Sequence, residues 1–450
     1  MGKETLELLS STRGAILMIA AAALLVWFTL PRKADELPRR IVLFVGAFTF
    51  GSLIGTNFGL IIQILALVGA FAEWIATPKA LRRGGAVVGW AAAVIGFWAL
   101  LMFHPNVPDF NTALLGFRKT VLAFAGLALG CAMRPKWIPK LEILIIRFTA
   151  AAVAVSIASN FFFPALSSSI LRAAGRYTAV YEGQDRLQGI YAGPFHAAAA
   201  GLLLVGWAIV RWNLHRRTAI IVGTLGIVCM YFTYVRSAYV TLGLMILVAL
   251  LMAPHLKVVT RRFAWAGMIA LVGYVTLVWS GDDAVLGTVG SISDFSTDNR
   301  FLDRIPQWEE AFMLFNDSIF YGWGAGSAGD TMGEAFRTGV HVTPHNMLLK
   351  FAVEGGLIGL LLIAGLVAAA VRRIDRTSDQ ARLGVVSVMV VIGMGLTISS
   401  IDMLPITYFA MVLLGLGLTE KHQGKSGGIS EVAPAMVDAP GRRHKSGARS

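Results

Sequence analysis

Residues 218–253 read TAIIVGTLGIVCMYFTYVRSAYVTLGLMILVALLMA, an apolar run with a single charge, Arg236, near its middle. A bilayer core takes about 20 apolar residues per helix, within a range of about 17–25. The run is too long for one crossing and long enough for two. Arg236, in Thr233-Tyr-Val-Arg-Ser237, marks the turn between them. Period-two alternation of apolar and polar residues is absent, which excludes a transmembrane barrel and leaves helices.

The same reading extends outward along the chain. Apolar runs occupy 14–30, 41–55, 58–77, 86–103, 113–133, 143–163, 189–210, 263–280, 346–371, 383–402 and 404–419, besides the two inside 218–253. The expected fold class is an all-α polytopic membrane protein of about 12–13 transmembrane helices, with a large extracytoplasmic loop carrying short helices. Composition agrees: 56% of the 450 residues are hydrophobic and 14% charged, against about 45–50% and about 25% in soluble domains. A cytosolic enzyme, a disordered chain and a nucleic-acid-binding domain are excluded. Cys131 and Cys229 lie in apolar runs without metal-ligand spacing and read as small buried residues.

The net charge of +13 orients the chain. Segments 31–40, 78–85, 134–142, 211–217, 254–262, 372–382 and 420–450 hold 26 of the 39 Lys and Arg, whereas the alternate loops hold 7. Basic loops stay on the cytoplasmic side. The expected organisation is therefore N-terminal helices over 1–280 with an outer loop at 165–188, a periplasmic or extracellular loop at 281–344, C-terminal helices over 345–419, and a disordered basic cytoplasmic tail at 420–450. No small-residue cleavage site closes 14–30, and Pro31-Arg-Lys33 follows it, so that run reads as a span or an interfacial segment. The chain is expected in a membrane with these basic loops on the cytoplasmic side.

Long loops beyond the needs of connection are usually functional. The 281–344 loop carries ten Asp and Glu against three Arg. Within it, Ile305, Trp308, Phe312 and Phe315 recur at helical steps, Asp303 is placed to cap the helix, and Pro306 falls in its first turn. Tyr321-Gly-Trp-Gly-Ala-Gly326 predicts a glycine-rich turn, and a further helix is expected from about Pro344 into the span at Asn346. Arg236 either snorkels or grips an anion such as phosphate, for which guanidinium is well shaped. Arg304 and Arg186 are solvated charges or further anion ligands. Arg118 lies inside a span, and such charges point to function. Lys350 either pairs with Glu354 at i+4 or meets substrate. His341 and His345 are four apart, but Pro344 disfavours a helix between them, and no third metal ligand is evident.

The order of these motifs is more specific than any one of them. Arg304-Ile-Pro-Gln-Trp308, Gly322-Trp-Gly-Ala-Gly326, His345-Asn346 and Glu354-Gly-Gly-Leu357 follow one another across the late loop and into a span. This order resembles the O-antigen ligase and polymerase superfamily. Thr233-Tyr-Val-Arg236 resembles that family's hydroxyl-rich turn ending in Arg, and Arg186-Leu-Gln-Gly189 its Arg-x-x-Gly motif. Two departures concern substrate detail: Val235 stands where a hydroxyl residue is usual, and Pro194-Phe-His196 where many members have Pro-Asn.

The resemblance implies glycosyl transfer on the extracytoplasmic face from a glycan carried on a polyprenyl diphosphate, with no cofactor and no metal. The acceptor would be a glycan, a lipid or a protein. Membrane lipids and other polysaccharide-export proteins are further expected partners, and no nucleic acid is. By position in the motifs, His345, Arg236 and Arg304 are the expected catalytic residues. Arg186, Arg118, Lys350, Asn346 and Trp308 are the expected substrate-binding ones, with Trp308 also readable as an anchor of the loop helix. The competing class is a multi-pass polysaccharide or lipid transporter. Transporters show paired broken helices in two repeated halves, and no internal repeat is visible here.

Overall fold

The computed structural model describes residues 37–50, 56–78, 84–162, 164, 179–181, 184–252, 302–329 and 342–420. Helices α1 (Arg39–Phe50), α2 (Thr56–Ala76) and α3 (Gly85–Leu101) are followed by α4 (Phe110–Val121) and α5 (Ala125–Ala132), which a short 3-10 turn joins into one crossing. Then come α6 (Ile138–Phe162), the two-residue strands β1 (Val180–Tyr181) and β2 (Gln184–Asp185), α7 (Pro194–Arg211), α8 (Arg216–Thr233) and α9 (Arg236–Leu251). The loop helix α10 (Arg304–Asp317) precedes α11 (Met347–Val371), α12 (Asp379–Gly395) and α13 (Ile406–Glu420). The chain is an all-α polytopic membrane protein. Phe110–Ala132, Pro135–Phe162, Pro194–Arg211 and Met347–Val371 are each long and apolar enough to cross a membrane.

Eleven of the thirteen apolar runs coincide with these elements; 14–30 and 263–280 lie outside the described residues. Arg236 begins α9, and Tyr234 caps α8 in the left-handed conformation, so the long run does fold as two helices. One boundary is corrected. The crossing expected from Gly189 begins at Pro194, because Gly193 is extended and proline suits a first helical turn. The acidic residues at 282–298, the region 330–341 with His341, and the tail beyond 420 also lie outside the described residues.

Lipid tails give no hydrophobic drive between helices, so close packing relies on small residues. Gly201 of α7 and Gly226 of α8 abut so closely that a Cβ on either would lie 2.6–2.7 Å from the other's carbonyl oxygen. Cys131 and Cys229 are both buried thiols in this packing. At one end of the bundle, buried Glu142 accepts from Trp207 Nε1 (2.8 Å) and from Arg211 Nε (2.7 Å) and Nη2 (2.6 Å), and Arg211 also reaches Gln380. A buried carboxylate is tolerable only when paired in this way. The cluster ties α6, α7 and α12 together.

Candidate active site

The site is built at the opposite end of the bundle, from three arms. The first is the turn between α8 and α9. Leu187 N–H bonds Phe232 O (2.8 Å) and Arg186 Nε donates to Thr233 O (2.8 Å). The last carbonyls of a helix lack internal partners and carry partial negative charge, so a guanidinium suits them. The Arg186 guanidinium also sits 5.3 Å from the Phe195 ring centre. Arg186 thereby braces the turn that ends in half-buried Arg236.

The second arm is α10. Trp308 Nε1 donates to Pro344 O at 2.7 Å, which fastens the helix immediately before His345. Arg304 lies one turn earlier on the same face, since residues four apart in a helix are neighbours. Ala311 and Leu314 continue this inner face and form a small core with Ala328, Val342 and Val353. The helix expected from this spacing forms, with Ile305 and Phe312 exposed on it. One expectation for α10 is corrected: the Asp303 side chain makes no cap hydrogen bond.

The third arm is Pro344-His345-Asn346. His345 has φ +44, a conformation that is uncommon for residues other than glycine. The helix expected from Pro344 begins at Met347 instead, because Asn346 acts as its cap: its Oδ1 accepts from Leu348 N–H (2.9 Å) and Leu349 N–H (3.2 Å). Asn346 Nδ2 donates to Leu396 O (3.4 Å). With its amide engaged in this way, Asn346 orients the arm.

The end of α12 joins the first and third arms. Ser237, next to Arg236, donates to Met394 Sδ (3.5 Å), while Asn346, next to His345, is tied two residues further on at Leu396. Ser400 Oγ contacts Met347 Sδ (3.6 Å) from the adjoining turn. Sequence reasoning missed this post, because Met394, Leu396 and Ser400 carry no signal of their own. Arg186, Trp308 and Asn346 thus join the turn that bears Arg236, the helix that bears Arg304 and the arm that bears His345.

Lys350 is engaged elsewhere. The Lys350 side chain is 0% exposed; its Nζ pairs with Glu354 (3.1 Å) and donates to Ala328 O (2.9 Å). The i,i+4 pair forms as the spacing allows. An ammonium engaged by a carboxylate and a carbonyl within the protein is a structural group, which corrects the reading of Lys350 as a substrate ligand. The second Glu354 oxygen accepts from Trp98 Nε1 (2.9 Å) and Thr120 Oγ1 (2.8 Å), so one carboxylate links α3, α4 and α11. Arg118 is half-buried on α4, whose neighbours include the Ser400–Asp402 turn.

The glycine motifs meet each other. Gly356 (φ +61) interrupts α11, and the Ile319–Gly324 turn fits the break. Trp323 N–H bonds Val353 O (2.8 Å), Gly324 N–H bonds Glu354 O (3.1 Å), Leu357 N–H bonds Ile319 O (2.6 Å) and Ile358 N–H bonds Phe320 O (3.2 Å). The turn thus satisfies backbone groups that the break leaves open, a necessity where no water can. A Cβ on Gly322 (φ +67) would lie 2.5 Å from Val353 O, so the contact requires glycine.

Residues 221–364 match the family described as O-antigen ligase. No curated protein matches the chain. The matched region contains Arg236, Arg304, Trp308, the glycine turn, His345 and Asn346 in the order that carried the resemblance, with Arg186 and Arg118 upstream of it. The match covers about a third of the chain, and over that region it supports a membrane glycosyltransferase of general O-antigen ligase or polymerase type.

Proposed function

We propose that the protein transfers or polymerises glycan from a polyprenyl-diphosphate-linked donor on the extracytoplasmic face of the bacterial inner membrane. The observation that carries this reading is the convergence of the arms bearing Arg236, Arg304 and His345 through Trp308, Pro344 and the end of α12. The acceptor oxygen attacks the anomeric carbon, and the bond from that carbon to the diphosphate oxygen breaks. His345 takes the acceptor proton as the general base of the transfer. Negative charge grows on the departing diphosphate. Preorganised guanidinium groups stabilise such charge most when they are fixed in advance, and Arg236 and Arg304 fill that role without a metal. Arg186 holds the turn that presents Arg236. Acceptors are a sugar on a second carrier-linked chain, a lipid or a protein.

The test is glycan assembly in cells carrying His345→Ala, Arg236→Ala or Arg304→Ala, with membrane protein levels measured in parallel. Each variant should accumulate unconsumed carrier-linked donor while its protein level stays normal. Normal donor consumption by the His345 variant would remove it from the chemistry. In a strain lacking the protein, single repeats on the carrier mean a polymerase, and long carrier-linked chains absent from the surface mean a ligase.

A further inference from the structure

The loop helix α10 and the turn after it present an apolar surface that the site does not use. Phe312, Met313, Ile319, Phe320 and Tyr321 are all exposed, with Phe320 at 62%, and Phe103 beside the end of α3 is 78% exposed. Apolar patches of this kind on a soluble loop call for a covering partner. The backbone contacts say which partner, because they fix the depth of the turn.

Ile319 O and Phe320 O accept from Leu357 and Ile358, inside the crossing α11. From Leu357 to the charged end at Arg372 the helix runs about 22 Å, at roughly 1.5 Å per residue. A hydrocarbon core is about 30 Å thick, so a boundary set by Arg372 puts Leu357 and the bonded turn about 8 Å beneath the opposite surface. Helix α3 gives a second ruler. Ala325 N–H bonds Leu101 O (3.2 Å), the last residue of α3. Leu101 lies about 24 Å along that helix from Gly85, again within the thickness of the core. Leu357 and Leu361 of α11 are themselves exposed, as lipid-facing residues of a crossing are, and exposed Phe320 is bonded through its carbonyl to Ile358 between them.

We propose that residues 319–324 form a re-entrant turn inserted into the outer part of the bilayer, with Phe312, Met313, Phe320 and Tyr321 in contact with lipid acyl chains. Non-helical backbone at membrane depth survives only where protein satisfies it, and the four hydrogen bonds to α11 do this. The inner face of α10 carries Trp308 and the small core; on its outer face Phe312 and Met313, nearest the turn, meet hydrocarbon, and Glu309, one turn earlier, lies above it. The loop bearing Arg304 is thereby fixed in height relative to the membrane. This inference rests on packing and depth and is independent of the catalytic reading.

The test uses the full chain reconstituted in phosphatidylcholine vesicles, with a bimane fluorophore on Phe320→Cys or Tyr321→Cys and, as an aqueous reference, on Glu309→Cys, also exposed. Unsubstituted protein measures labelling of the two buried native thiols. Nitroxide-labelled phosphatidylcholine should quench the probes at 320 and 321 several-fold more strongly than the probe at 309, and iodide should show the reverse order. Equal quenching by iodide at all three positions would overturn the proposal. Shielding of 320 and 321 from both quenchers would also overturn it, by showing that protein covers the patch. Two independent sites keep the test decisive should one substitution fail to fold.

Discussion

His345 owes its place to neighbours that hold an unfavourable backbone angle, and the tightest of these contacts is the Trp308 hydrogen bond to Pro344 O. Replacing Trp308 by Phe keeps an aromatic ring, though a smaller one, and removes the donor. The expected loss is about 1 kcal/mol of loop docking, typical of one such bond. Transfer should fall while protein level in the membrane stays normal, measured by glycan assembly beside immunoblotting. His104 allows a prediction in pH. Burial holds its pKa below the ordinary 6.5, and its Nδ1 accepts from Asn106 N–H (3.3 Å). A histidine depressed in the folded state binds protons less readily than when unfolded, so stability is lost as pH falls from about 6.5 toward the lowered value. The melting temperature should drop over that window, and His104→Gln should flatten the drop. The sequence exposed the chemistry of His345, Arg236 and Arg304 because it lies in residue type and order. It was silent on the left-handed angle at His345 and on the role of Asn346, since capping and tethering depend on where Leu396 arrives from another helix.

Helix α11 shows the same division among elements. Its apolar length and its Lys350–Glu354 spacing are legible along the chain. The break at Gly356 is not, because a Gly-Gly pair inside an apolar run also suits plain helix packing. The spacing in α10 announces a helix and leaves its inward face open: Ala311 and Leu314 pack inward, while Ile305 and Phe312 are exposed. Lys350 and Glu354 are both 0% exposed. Replacing Lys350 by Met leaves a buried carboxylate without its cation, which costs about 3–5 kcal/mol. The purified variant should melt well below the parent, and adding Glu354→Gln should recover part of the loss. Gly322→Ala should act through geometry alone. Its Cβ has no room against Val353 O, so the turn undocks and transfer falls with the charges of the site intact. A Gly322→Ala protein as active as the parent would show that the junction is dispensable.

The two ends of the bundle differ in kind, and this bears on how the whole molecule sits. One end gathers Glu142, Arg211 and Gln380 beside the loops richest in Lys and Arg. The other gathers Arg186, Arg236 and His345, where basic residues are few. Helix α11 runs from His345 to Arg372–Arg373, and α12 returns from Gln380 to Leu396 beside Asn346, so consecutive helices place their ends alternately as the charge pattern requires. On the positive-inside rule we propose that the Arg211 end lies in the cytoplasm and the His345 end outside. Single cysteines test this cleanly, because both native thiols are buried. Cysteine at Glu309 should react with a membrane-impermeant maleimide in intact spheroplasts. Cysteines at Asn213 and Thr377, exposed at the other end, should react only after the membrane is opened. If Asn213→Cys labels in intact cells, the orientation is reversed, and a site built to meet a carrier-linked glycan outside would face the wrong compartment.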